Sequence, residues 1–304
     1  MRSPRNKTLE VDLEHGAEYL NRCLRPSDIG QHFVPCRTIC GDCLEVMPLL
    51  PRGFADLIIA DPPYNMDKSF SSMSFRAMTQ EGYFDYTMRW LEAAQPLLAA
   101  NGSIYVCCDW RCSGAVQLAL ERFFTVRSRI TWQREKGRGA RKNWKNACED
   151  IWFATASKDY VFNLDAVRQR RRVVAPYRSN GLPKDWTETP DGRYRDTCPS
   201  NFWDDITVPY WSMAENTAHP TQKPEKLLAK LILASSNPGG MVFDPFSGSG
   251  STCVTARKLG RRWCGIELSE QYCIWAEKRL ENAVLNQTIQ GFSDGVFWDR
   301  NSGR

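Results

Sequence analysis

Short apolar runs alternate along this chain with longer stretches whose apolar residues recur at helical spacing. Arg37-Thr38-Ile39-Cys40, Phe54–Ala60, Ser103–Cys108, Val126–Trp132, Ile151–Thr155, Tyr160–Asn163, Met241–Phe243 and Arg261–Glu267 read as strands. Between them, Leu44–Leu50 reads as a helix closed by Pro51-Arg52-Gly53, and Tyr83–Leu98 as a helix capped by Asn101-Gly102. Ala115–Phe124, Glu225–Ser235, Cys253–Leu259 and Glu270–Ala283 complete the helical set, and Val11–Leu24 also has the spacing of one. Strand alternating with helix predicts an α/β chain with a doubly wound sheet. Asn65–Gly82 has no clean period and is expected to be a mobile loop of the kind that forms lids.

Composition narrows this only slightly. The 304 residues suit one large α/β domain or two small ones, and 42% hydrophobic residues are enough to bury a full core. No run reaches the apolar length of a membrane span, and no apolar stretch follows the basic start Met1–Lys7, so a cytoplasmic protein is expected. Cys40-Gly41-Asp42-Cys43 has C-x-x-C spacing, and Cys107, Cys108 and Cys112 lie close together. The three histidines complete neither set, so no metal site is expected.

Charge is more informative where it clusters. The net charge is only +5, but from Arg122 to Lys145 nine cations face one acid, Glu135, with Trp132 and Trp144 interleaved. Arg168, Arg170, Arg171 and Arg172 form a second cluster. Cations with aromatics suit a phosphate backbone and unstacked bases. Residues 175–215 are loop-rich and proline-punctuated, so 134–215 is expected to be an inserted recognition region.

Two turns carry the candidate chemistry. The apolar run 54–60 ends in Asp61-Pro62-Pro63-Tyr64. Two prolines cannot continue a central strand, so a carboxylate, a stiff backbone and an aromatic ring gather at a strand's carboxyl end. Ligands of open α/β sheets bind at that edge. Far downstream, strand 241–243 runs into Asp244-Pro245-Phe246-Ser247-Gly248-Ser249-Gly250-Ser251-Thr252 and then a helix. Gly248 and Gly250 permit close backbone approach, and the helix start offers free N–H groups. Glu267, about 20 residues on at the next strand's end, can accept from ribose hydroxyls.

Together, the two turns and the patterns Gly41-Asp42, His219-Pro220-Thr221-Gln222-Lys223-Pro224 and Gly265-Ile266-Glu267 resemble those of the S-adenosylmethionine-dependent DNA amino-methyltransferases, which act on adenine N6 or cytosine N4. The catalytic turn precedes the glycine-rich turn, which resembles the beta subgroup. The resemblance covers residues 36–282. It implies a Rossmann-like, circularly permuted mixed sheet of the class I methyltransferase type. Residues 36–133 would be the catalytic half, 134–215 the target-recognition region and 216–285 the cofactor half. An N-terminal extension (1–35) and a tail (286–304) would lie outside.

The resemblance also implies roles. Asp61, Pro62, Pro63 and Tyr64 would be catalytic, with Asp61 and the Pro62 carbonyl accepting the amine hydrogens and Tyr64 stacking on the base. Asp42 and the Cys43 amide would bind the adenine of the cofactor, Glu267 its ribose, and Phe246, Ser247, Gly248, Ser249, Gly250 and Thr252 its methionine portion. Thr221 and Lys223 would take its carboxylate. Asp rather than Ser at position 61 favours adenine over cytosine. Double-stranded DNA is the implied partner, bound through Arg122–Lys145 and Arg168–Arg172. A homodimer and a cognate restriction endonuclease are further expectations of the resemblance.

Overall fold

The computed structural model describes residues 3–30, 35–70, 73–134, 141–174, 177–190 and 192–300. Its frame is a mixed sheet of eight strands: β1 (Arg37–Cys40), β2 (Ala55–Ala60), β3 (Leu98–Cys108), β4 (Thr125–Gln133), β5 (Cys148–Thr155), β6 (Phe202–Trp203), β7 (Met241–Asp244) and β8 (Arg262–Glu267). Their order across the sheet is β1-β8-β7-β2-β3-β5-β4-β6. The first five strands in that order run parallel, and β5 is antiparallel to both β3 and β4.

Along β2 the side chains alternate between two cores. Two short helices, α1 (Ala17–Leu20) and α2 (Cys43–Val46), precede α3 (Gln80–Ala94) and α4 (Ser113–Phe123), and Ile58 and Ala60 join the core with the last two. Leu57 and Ile59 join the core with α5 (Glu225–Ser235) and α6 (Ser251–Lys258). Helix α7 (Glu270–Leu285) adds Leu280 and Ala283 to the second core. Both faces are therefore covered, as a mostly parallel sheet requires.

Several sequence expectations change. Residues 148–155 and 202–203 lie inside the expected insert, yet they pair in the main sheet, 148–155 as a buried interior strand and 202–203 at its edge. Tyr160–Asn163 is not a strand. Both edges of β5 are already paired, so the chain turns away, and the Asn163 N–H and side chain dock on carbonyls at the end of α5. Asn101-Gly102 does not cap a helix. It is absorbed as a bulge in β3, where Ala55 pairs with Leu98 and Leu57 with Ser103.

Of Val11–Leu24 only Ala17–Leu20 is helical, because Gln271 and Trp275 of α7 claim the Val11 carbonyl. The tail is not loose either. Phe292–Ser293 and Val296–Trp298 join Gln169–Arg172, Gly192–Thr197 and Thr187–Thr189 in a second, five-stranded sheet. The stretch after Asn65 contains a hairpin, Lys68–Phe70 with Met73–Phe75, closed at its base by two hydrogen bonds between the Asn65 side chain and the Met78 backbone.

Candidate active site

The carboxyl ends of β2, β7 and β8 open onto one cleft, with a cavity of about 250 Å³. Of the residues singled out above, Asp42, Cys43, Asp61, Pro62, Pro63, Tyr64, Thr221, Lys223, Phe246, Ser247, Gly248, Ser249, Thr252 and Glu267 line it. Gly250 stands just behind, capping α6 at φ +77°, where a Cβ would meet that of Ala276 at 2.6 Å. Gly248 has φ +53° and packs against the His219 ring. Both positions need the conformational freedom that only glycine has.

The glycine-rich side is ordered by its own carboxylates. The Gly248 and Ser269 amides donate to the two oxygens of Glu267 at 2.8 and 2.7 Å, and burial raises this carboxyl above the usual range. Asp244 accepts from the Phe246 amide at 2.9 Å, and burial pushes its carboxyl up to about 7. Asp42 caps the short helix Cys43–Val46 by accepting from Leu44 N–H at 2.7 Å. His219 stands edge-on to Tyr272, and burial with nearby Lys223 pushes it down to about 3, so it is neutral. Of the C-x-x-C pair, Cys43 faces the cavity while Cys40 packs with Cys23 and Cys273. Among the described residues no His, Cys, Asp and Glu group is arranged to hold a metal.

On the opposite side sits a charged cluster. Lys223 Nζ donates to Asp61 Oδ2 at 2.6 Å and to Tyr64 Oη at 3.1 Å, and lies 3.4 Å from Glu149 Oε2. Tyr64 donates to Glu149 Oε2 at 3.0 Å, and Arg134 donates to Glu149 Oε1. Burial would lower the Lys223 ammonium, but Asp61 and Glu149 outweigh it and raise it. The Lys223 ammonium thus contacts Asp61, Tyr64 and Glu149, and Lys223 and Thr221 both line the cavity.

Two buried polar atoms in this wall lack partners among the described residues, the acceptor Asp61 Oδ1 and the donor Trp90 Nε1. Buried polar atoms are rarely left unpaired, so a cavity with an orphan acceptor, an orphan donor and glycine turns fits a polar ligand and a hydrogen-bond donor at Asp61.

The sequence reading missed Glu149 and Arg134. The available signal was an acid inside an apolar strand run, Cys148-Glu149-Asp150-Ile151-Trp152, which is rare unless paired. The basic stretch is only partly free for DNA. Arg127 is bound to Thr155 and Ser157, Arg129 lies near Asp150, and Arg134 holds Glu149. Arg168 and Arg170 pair with Asp165 and Asp196. Trp132 is buried with its N–H on the Ile206 carbonyl, whereas Trp144 is 94% exposed. Residues 135–140 of the stretch lie outside the described residues.

The doubly wound sheet thus brings a glycine-rich turn to face a carboxylate on a Pro-Pro turn across one cavity. The sequence matches the model of a family described as DNA methylase, of the N6/N4 type, over residues 55–278. The chain belongs to this family. It is 36% identical over 246 residues to the DNA adenine methyltransferase YhdJ of Escherichia coli (strain K12), covering 80% of this chain and 82% of that one. It is 32% identical over 250 residues to the type II methyltransferase M.HpaI of Haemophilus parainfluenzae, covering 81% and 74%. The crystal structure of the M1.HpyAVI–SAM complex superposes with a TM-score of 0.55 at 25% identity, over 80% of this chain and 98% of that one. No helix among the described residues is long and apolar enough to cross a membrane.

Proposed function

We propose that the protein transfers a methyl group from S-adenosylmethionine to the exocyclic N6 amine of adenine in double-stranded DNA, at a specific site, after the base is flipped out. The observation that carries this reading is Asp61 Oδ1, a buried acceptor without a partner among the described residues, on a residue that lines the glycine-walled cavity in a chain of the DNA methylase family. Asp at position 61 and the likeness to YhdJ favour adenine over cytosine.

S-adenosylmethionine supplies an electrophilic methyl group when bound. Glu267 would hold its ribose, Asp42 and the Cys43 amide its adenine, Phe246 to Thr252 its methionine portion, and Thr221 with Lys223 its carboxylate. An aromatic amine is a weak nucleophile because its lone pair is delocalised into the ring. Asp61 Oδ1 and the Pro62 carbonyl accept its two hydrogens, which turns the lone pair toward the methyl group; this is catalysis by positioning. Lys223 fixes the other Asp61 oxygen, so the free one cannot swing away. As the new N–C bond formed, the methyl group's bond to the sulfonium sulfur would break with its electron pair left on that sulfur, and the proton lost from the amine would pass to Asp61 Oδ1. Tyr64 offers its ring to the flipped base.

In this reading the two halves, 36–133 and 216–285, form a circularly permuted methyltransferase domain with β5 added to it, and the second sheet belongs to target recognition. Exposed cations such as Arg141 and Lys142, with Trp144, meet the DNA. Homodimeric assembly, a cognate restriction endonuclease and a cytoplasmic setting belong to the same proposal. The test is transfer of labelled methyl to unmethylated duplex DNA, with cofactor binding measured in parallel by calorimetry. Binding with transfer supports the reading, and binding without transfer to DNA overturns it.

A further inference from the structure

Glu149 comes from β5, in the centre of the sheet, and is only 4% exposed. A buried carboxylate is costly unless it is paired and hydrogen-bonded. Here both oxygens are used, and every partner leads to the catalytic turn or to the basic arm. Oε2 accepts from Tyr64 at 3.0 Å and lies 3.4 Å from Lys223 Nζ, while Oε1 accepts from Arg134. Burial would raise its carboxyl, but Lys223 and Arg134 outweigh it and hold Glu149 below its usual value. Lys223 and Arg134 thus face the anions Asp61 and Glu149, with Lys68 nearby.

Lys223 has two anions within reach. With Asp61 alone its ammonium could approach either carboxylate oxygen. With Glu149 anchored by Arg134, Lys223 is drawn toward Glu149 Oε2 and contacts Asp61 through Oδ2 only, leaving Oδ1 without a hydrogen-bond partner among the described residues. Tyr64 is fixed by the same carboxylate.

We propose that Glu149 is a positioning residue for methyl transfer: it holds Lys223 and Tyr64 so that Asp61 presents its free oxygen to the target amine. The inference rests on the function proposed above. Glu149 contacts the side chains of Tyr64, Arg134 and Lys223, so its loss is expected to act on the transfer step and not on affinity.

The test is Glu149→Gln, which keeps the shape and removes the charge. In single-turnover transfer to duplex DNA the rate is expected to fall about 10–100-fold, the scale of a small misplacement of a reacting group. Affinities for S-adenosylmethionine and for DNA stay at wild-type values. In a Tyr64→Phe background the same substitution costs less, because part of the linkage is already gone.

A Glu149→Gln protein that transfers at the wild-type rate, or that loses affinity and rate together, overturns the inference. If Glu149→Gln does not fold, Tyr64→Phe alone must slow transfer with affinities intact, or the inference fails. A crystal structure of the variant decides the point without turnover: Lys223 is expected to leave Asp61 Oδ2 or to shift onto Oδ1, and an unmoved Lys223 overturns the inference. A wild-type protein that binds cofactor and does not methylate DNA would instead refute the proposed function, and that structural result would still stand on its own.

Discussion

Lys223 Nζ lies 2.6 Å from Asp61 Oδ2, while Asp61 Oδ1, buried in the same cavity wall, has no hydrogen-bond partner among the described residues. One oxygen is held and the other is offered. A carboxylate held in this way is an oriented acceptor, and the site's chemistry follows from that asymmetry.

Removing the acceptor should stop transfer and spare binding. Asp61→Ala is expected to lower the single-turnover rate by about 10²–10⁴-fold, the range of a lost acid–base group. Cofactor affinity by calorimetry should change far less. A rate close to wild type would remove Asp61 from its assigned role.

Removing the cation should damage the fold before the chemistry. Lys223→Met leaves Asp61 without its ion-pair partner, and Glu149 with Arg134 alone, in a buried site. Breaking such a cluster from one side costs about 3–5 kcal/mol. For a chain of this size that lowers the melting temperature on the order of 10 °C. A melting point unchanged by calorimetry would show that the cluster carries no net stability.

The glycine-rich turn tolerates no side chain at position 250. Gly250→Ala combines a left-handed φ of +77° with a Cβ 2.6 Å from that of Ala276. The strain alone costs about 1–3 kcal/mol, and the turn must move to relieve the clash. Both the melting temperature and the affinity for S-adenosylmethionine should drop. Retained affinity in a stable variant would place the ligand elsewhere.

Much of this was legible in the sequence, for physical reasons that differ by element. Asp61-Pro62-Pro63-Tyr64 and the turn after Asp244 announce themselves because proline and glycine dictate backbone shape locally. Strands β2, β7 and β8 are buried on both faces and read as apolar runs. What escaped depended on distant partners. Glu149 is functional only because Arg134, Tyr64 and Lys223 converge on it, and the last two are far from it in sequence. Tyr160–Asn163 has strand composition but no free sheet edge. The tail around Phe297 looks polar and weak until Gln169 pairs with it. Lys223 read as a cation for an anion, but its pairing with Asp61, 162 residues away, was not legible in the sequence.

Asp244 gives the pH dependence a definite sign. Its folded carboxyl sits at about 7, raised by burial from an ordinary value of 3.8. Between these values the folded state binds the proton and the unfolded state does not, so this group's contribution to stability is lost as pH rises from about 4 to about 7. Glu215, also pushed up to about 7 by burial and by Glu225, acts in the same direction, and neutral buried His219 acts oppositely below its unfolded value. The comparison of wild type with Asp244→Asn isolates the one group. The variant's melting temperature relative to wild type should climb as pH is raised through this window, and a flat difference would contradict the assignment.

DNA affinity should depend on the exposed arm and not on the paired arginines. Arg141→Ala with Lys142→Ala is expected to weaken binding across all sequences. The slope of log affinity against log salt should fall by roughly 0.9 for each phosphate that is no longer neutralised. Binding of S-adenosylmethionine should be unaffected. An unchanged salt slope would move the DNA path elsewhere on the surface.

The most direct measurement of the central claim is the chemical identity of the product. The protein is incubated with S-adenosylmethionine carrying a labelled methyl group and with mixed genomic DNA, which is then digested to nucleosides and resolved by mass spectrometry. Label is expected in N6-methyladenine, and its loss is expected with Asp61→Ala. Label in N4-methylcytosine, or no label in DNA from a protein that still binds the cofactor, would contradict the proposed function.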